Sequence, residues 1–172
     1  MAGFLQDVAQ FKWYHIYLPS LRQFWKLYGN TDVPYQFVVP ERDEAWPKTA
    51  WGIRFGSRVV AMRHGIVYAS QMAESKEELE KLGFCFSTIY ERDWTEKVLP
   101  SLKKHQQEFG HCIISQGFKV PDCHPWPTKA WGMRLGKVVN KIRTGNGYVE
   151  QAARDKEILA AVGFVWSQDE AV

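Results

Sequence analysis

The chain is one unit written twice. Leu18-Pro19-Ser20-Leu21 returns 81 residues later as Leu99-Pro100-Ser101-Leu102, and Trp13/Trp94, Tyr28-Gly29/Phe109-Gly110 and Val39-Pro40/Val120-Pro121 keep that offset. One residue is then missing from the second copy, and the offset becomes 80. It pairs Trp46-Pro47 with Trp126-Pro127, Ala50-Trp51-Gly52 with Ala130-Trp131-Gly132, Arg54 with Arg134, Arg63 with Arg143, Tyr68 with Tyr148, and Gly83-Phe84 with Gly163-Phe164. A duplication of this kind makes each copy one small folding unit with its own core. The units run over 11–87 and 92–167, with Thr88 to Glu91 between them. Eight Trp, seven Tyr and ten Phe supply large anchors for two such cores.

Each copy reads as three helices, so the expected fold is all-α: two tandem three-helix units, each a small orthogonal bundle. In the first helix, Val98, Leu99, Leu102 and Phe109 have helical apolar spacing, Asp93 to Glu96 reads as a capping box, and Gly29 and Gly110 read as stops. Pro19 and Pro100 interrupt that helix and predict a kink or a late start. The second helix is expected to begin near Pro47 and Pro127 and to bury Trp51, Phe55, Val59 and Met62, or Trp131, Leu135, Val138, Val139 and Ile142, on one face. In the third helix, Ser75 and Asp155 read as N-caps. Gly83 and Gly163 occupy its left-handed C-cap position, with Phe84 and Phe164 as the apolar contact that follows. Trp46 and Trp126, each in a loop before Pro, are expected to be partly exposed.

The formal charge of +3 is too small to identify a polyanion partner by itself. Its placement is more informative. Ala45 to Ala73 contains Lys48, Arg54, Arg58 and Arg63 with no acid, and Cys123 to Val149 contains Lys129, Arg134, Lys137, Lys141 and Arg143 with none. Both windows cover the second helix, where Arg134, Lys137 and Lys141 fall within about 60° of one another. A basic helix side beside an anchored apolar face suits phosphate contact. These nine residues are the candidate nucleic-acid-binding set, with a solvated helix face as the plain alternative.

The residues also carry a family resemblance. The order Trp, Leu-rich helix, Gly, Val-Pro, then Trp51-Gly52-Ile53-Arg54-Phe55-Gly56 and Trp131-Gly132-Met133-Arg134-Leu135-Gly136, a closing Arg63-His64-Gly65 and Arg143-Thr144-Gly145, and finally Gly163-Phe164-Val165-Trp166 resembles the helicase-associated domain. That module occurs in tandem at the C-termini of some bacterial helicases and in stand-alone arrays in oomycetes, diatoms and other algae. This chain is similar to the stand-alone type over nearly its whole length. The resemblance implies a three-helix fold and a nucleic-acid-binding role. The Trp-Val-x-x-Gln-Arg run of the bacterial version is missing, so contacts inferred from that pair do not carry over. No G-x-x-x-x-G-K-[ST] phosphate loop accompanies the repeats.

Other chemistries have less support. His111-Cys112 and Cys123-His124 offer soft ligands, but their spacing is not that of a zinc finger and the first copy does not repeat them. No metal or cofactor is expected. Glu74, Glu77, Glu78 and Glu80 lie among lysines on a wet helix face, and Ser115 and His105 lack an acid partner in sequence, so an enzyme is not expected. Three cysteines without a C-x-x-C pair fit a reducing compartment, and the first residues read as neither a secretory signal nor an Arg-rich transit peptide. No apolar run is long enough to span a bilayer. The expectation is an intracellular protein, nuclear or organellar, that holds the phosphate backbone of DNA or RNA and no membrane. The rival expectation is a scaffold subunit of a larger, possibly organellar, protein assembly, suited by the near-neutral charge and the aromatic content.

Overall fold

The computed structural model describes residues 2–167. The chain divides into two compact units, Met1–Thr88 and Ile89–Val172. Both are helical, and the described residues contain no β-strand beyond one isolated bridge between Cys112 and Phe164.

In the first unit, α1 (Ala2–Lys12) passes through a π-helical turn at Trp13–Tyr17 into α2 (Leu18–Tyr28). In the second, α6 (Ile89–Asp93) passes through Trp94–Val98 into α7 (Leu99–Phe109). The wide turn answers the proline problem. Pro19 and Pro100 have no N–H for the carbonyl four residues back, and their rings press on it. Expanding the turn by one residue keeps the chain helical through the proline without a break. The His15 carbonyl, four residues before Pro19, accepts a 3.3 Å hydrogen bond from Thr49 Oγ1. At the matching position of the second unit, Lys129 Nζ lies 3.1 Å from the Glu96 carboxylate. Helix therefore starts at Ile89, ahead of the expected Asp93 cap, and takes in most of the stretch read as a connection.

The expanded turn aims the first core anchor inward. Trp13 and Trp94 are fully buried. Trp13 donates its indole N–H to Ser75 Oγ at 3.0 Å, and Trp94 donates to Asp155 Oδ2 at 2.7 Å. Ser75 and Asp155 thus serve as acceptors for a buried indole and make no side-chain capping bond. They sit at a break in the expected third helix, between α4 (Ala69–Glu74) and α5 (Lys76–Lys81) and between α9 (Val149–Arg154) and α10 (Lys156–Ala161). Its C-terminal end follows expectation. Gly83 and Gly163 have φ of 69° and 74°, and Phe84 N–H and Phe164 N–H reach the Leu79 and Leu159 carbonyls, each at 2.9 Å.

The second helix begins later than expected. Pro47 and Pro127 precede only a 3-10 turn (Lys48–Ala50, Thr128–Ala130), and the helices proper are α3 (Phe55–Arg63) and α8 (Leu135–Thr144). Trp51 and Trp131 therefore lie in the connection, half-buried, each donating its indole N–H to the carbonyl of Trp46 or Trp126 at 3.2 and 3.1 Å. Trp46 and Trp126 are core residues, 3% and 5% exposed, in contrast to the sequence expectation. The loop folds their rings onto Phe37 and Phe118, with centroids 5.6 and 5.8 Å apart.

One glycine per unit lets this loop close. Gly56 N–H donates to the Phe37 carbonyl at 3.0 Å, and Gly136 N–H donates to that of Phe118 at 3.1 Å. A methyl group at Gly56 would overlap the Pro34 and Tyr35 carbonyls, and one at Gly136 those of Ser115 and Gln116. Alanine has no room there unless the loop moves away. Gly56→Ala or Gly136→Ala should each cost about 3 kcal/mol, read as a lower unfolding free energy in urea. Gly117→Ala, whose methyl meets nothing within 4 Å, should leave it nearly unchanged.

The second core contains a titratable group that the first lacks. His105, at the position of Phe24, is 3% exposed among Phe109, Phe118 and His111. Its Nδ1 lies 2.9 Å from the His111 carbonyl. A carbonyl only accepts, so Nδ1 carries the proton. Burial pushes the His105 pKa down, against the His111 carbonyl, which raises it. The unfolded chain therefore takes up this proton first. Stability is full above the ordinary histidine pKa of about 6.5 and falls as pH drops below it. His105→Phe should flatten the melting temperature between about pH 7 and pH 5; an unchanged slope would assign it to other groups.

Candidate nucleic-acid interface

The nine basic residues singled out by the sequence divide into three groups. Arg63 and Arg143 are internal. Arg63 is 8% exposed, donates from Nη2 to the Thr31 carbonyl at 2.8 Å, and lies over the Phe84 ring at 5.6 Å. Arg143 is half-buried, donates from Nε to the Val165 carbonyl at 2.6 Å, and lies over Phe164 at 5.9 Å. Each guanidinium ties the end of its second helix to the chain leaving the last one. Neither belongs to an exposed stripe, which corrects the sequence assignment. A helical wheel places both arginines at the rim of the apolar face but cannot show that a carbonyl and an aromatic ring wait there. The repeat carried a signal, because it keeps Arg63/Arg143 together with Phe84/Phe164.

Lys129 forms the second group. It is exposed but ion-paired with Glu96, so part of its charge is already answered.

The remaining six stay in the candidate interface. Lys48, Arg54 and Arg58 in the first unit, and Arg134, Lys137 and Lys141 in the second, are all exposed. None enters an ion pair among the described residues. Arg54 and Arg134 immediately precede α3 and α8. Arg58 follows one turn into α3, while Lys137 and Lys141, four apart on α8, share one side of it. The stripes are not copies of one another. Only Arg54/Arg134 is repeated; Arg58 faces Val138 in the alignment, and Lys137 and Lys141 replace Ser57 and Ala61.

Nearby ionisable groups stay protonated at neutral pH. Burial raises Tyr68 to about 12, Tyr17 adding to the effect and Arg58 opposing it. Burial likewise raises Tyr148 to about 12 and the Cys112 thiol to about 11. Among the described residues no group of three or more His, Cys, Asp or Glu gathers with metal-ligand geometry. Cys112 is buried against the Leu102 carbonyl, whereas His124 packs edge-on to Trp131 at 5.3 Å. No helix among the described residues is long and apolar enough to cross a membrane.

No family model, curated protein or solved structure matches the chain.

Replacing the internal arginine should unfold rather than unbind. Arg63→Ala leaves the buried Thr31 carbonyl without its donor and should cost about 3 kcal/mol, measured by thermal or urea unfolding. Arg54→Ala, on an exposed side chain, should change stability by less than about 0.5 kcal/mol.

Proposed function

We propose that the protein is a non-enzymatic nucleic-acid-binding module in which the basic side of the second helix in each unit holds phosphate groups. The observation that carries this reading is a set of six exposed cations with no carboxylate partner among the described residues: Arg54, Arg58, Arg134, Lys137 and Lys141 at or along α3 and α8, and Lys48 in the turn ahead of α3, all within two acid-free windows. The Trp-Gly-x-Arg-Phe/Leu-Gly signature, with its resemblance to the helicase-associated domain, supports the same reading. Arg54 and Arg134 are the repeated contacts. Arg58, Lys137, Lys141 and Lys48 add charge that differs between the units.

Contacts of this kind act on backbone charge, so binding should be salt-steep with little base discrimination from the stripes themselves. If four to six phosphates are neutralised, log K should fall with log salt at a slope of about −3 to −5. Arg134→Ala with Lys141→Ala should weaken binding at low salt by about tenfold and reduce that slope by about two. Fluorescence anisotropy with duplex and single strands at two salt concentrations checks both values. No binding at low salt, or binding indifferent to the double substitution, would discard the reading.

A protein-interaction role in a larger assembly is the second reading. It is favoured by the apolar side chains that α1 leaves in solvent, with Phe4 72%, Leu5 69% and Phe11 56% exposed. Recovery of the chain in a defined protein complex free of nucleic acid, lost on Phe4→Ser with Leu5→Ser, would favour it over phosphate binding.

A further inference from the structure

The second unit contains a cleft of about 280 Å³ beside its basic stripe. Ile113, Ile114, Ser115 and Gln116 form one wall, and Asn140 and Arg143 of α8 form the other, with Gly136 between them. The cleft lies just below the size range of pockets for drug-sized molecules, which suits a single ring system. Its walls combine two isoleucines with two carboxamides, a hydroxyl and one guanidinium, and among the described residues no carboxylate lines it.

Three observations bear on what such a cleft would take. The polar groups are available: among the described residues no hydrogen bond engages the side chains of Ser115, Gln116 or Asn140, and Arg143 uses only Nε, on Val165, its Nη groups having no acceptor among those residues. The guanidinium is also fixed, because the Val165 bond and the Phe164 ring hold it in place. Finally, the residues that line the cleft are particular to this unit. In the first copy Ser115, Gln116 and Asn140 are replaced by Pro34, Tyr35 and Val60, and Arg63 is buried with Nη2 turned to the Thr31 carbonyl. The duplication kept the arginine and exchanged the residues around it.

One cation among amides and apolar walls leaves most of a phosphate's charge unanswered. It suits the edge and faces of a nucleobase. A guanidinium fork matches two adjacent acceptors, amides complete the edge, and aliphatic side chains cover the ring. Asn140 lies one helical turn from Lys137, so a strand held by the stripe can place a neighbouring base in the cleft. We propose that this cleft receives one unpaired base of a bound single strand, and that Arg143 selects guanine through its O6 and N7 acceptors. The proposal rests on the phosphate-binding reading and gives the second unit a base preference that its stripe lacks.

The test compares a thymidine twelve-mer with the same strand carrying one central guanine, adenine or cytosine, by anisotropy at low salt on the full chain. The guanine strand should bind about tenfold more tightly than the thymidine strand, and adenine or cytosine should add little. Pairing the guanine with a complementary strand should remove the gain. Arg143→Lys keeps a donor for Val165 but loses the fork, and should abolish the guanine advantage, leaving the guanine and thymidine strands within about twofold of each other. Asn140→Ala and Gln116→Ala alter exposed side chains without hydrogen-bond partners among the described residues, so they should reduce the advantage with the melting temperature unchanged. Equal affinity for all four strands, or equal gains from guanine and adenine, would overturn the assignment. If no strand bound at low salt, the phosphate-binding reading itself would fall as well.

Discussion

The hydrogen bond from a buried tryptophan to the break in the last helix is the constraint on which each unit depends. An indole N–H removed from water needs an acceptor. Trp13 finds it in Ser75 and Trp94 in Asp155, some sixty residues further along the chain. Satisfying that donor fixes where the long first helix meets the short terminal pair. The π-helical turns imposed by Pro19 and Pro100 orient the tryptophans, and Tyr68 and Tyr148 pack on them with centroids 5.9 and 5.7 Å away. Both tyrosines take a left-handed backbone, φ 58° and 57°, which side chains other than glycine adopt at some cost. That both copies keep this strained position ties it to the tryptophan contact.

From that centre the rest follows outward. The loop between the first and second helices buries Trp46 or Trp126 and is closed by the glycine pair, whose N–H groups bond to the loop and whose missing side chains let its carbonyls approach. Closure delays the second helix until Phe55 or Leu135. Arg54 and Arg134 are thereby left at the exposed entrance of their helices, while Arg63 and Arg143 are drawn into the far end against carbonyls and aromatic rings. The same fold thus sorts arginines of similar sequence context into structural and solvent-facing roles. Divergence is concentrated elsewhere, in His105 for Phe24, Asn140 for Val60, and the two lysines of α8. These changes give the second copy a pH-sensitive core and a polar cleft.

Much of the fold is legible in the residues. Gly83 and Gly163 sit where a left-handed cap is needed, the first helix ends at Gly29 and Gly110, and the apolar spacing of Phe55, Val59 and Met62 correctly identifies a buried face. The unread parts share a cause: tertiary partners decided them. Pro47 and Pro127 have the local chemistry of a helix start, yet the chain there must turn to cover Trp46 and Trp126, so only a 3-10 turn forms. Ser75 and Asp155 have the chemistry of N-caps, but a tryptophan more distant in sequence claims their oxygens. Arg63 and Arg143 look like part of a charged stripe because a wheel shows direction without neighbours. The exposed members of the candidate interface were legible because nothing in the fold competes for them.

On the proposed reading, the entrances and outer sides of α3 and α8 meet an anion. Backbone amide shifts of the labelled full chain, followed while a short single strand is added at low salt, test this residue by residue. Perturbations should centre on Arg54, Arg58, Arg134, Lys137 and Lys141, with the amides of α5 and α10 undisturbed. Perturbations confined to α1, or to the acidic side of α4 and α5, would contradict that reading.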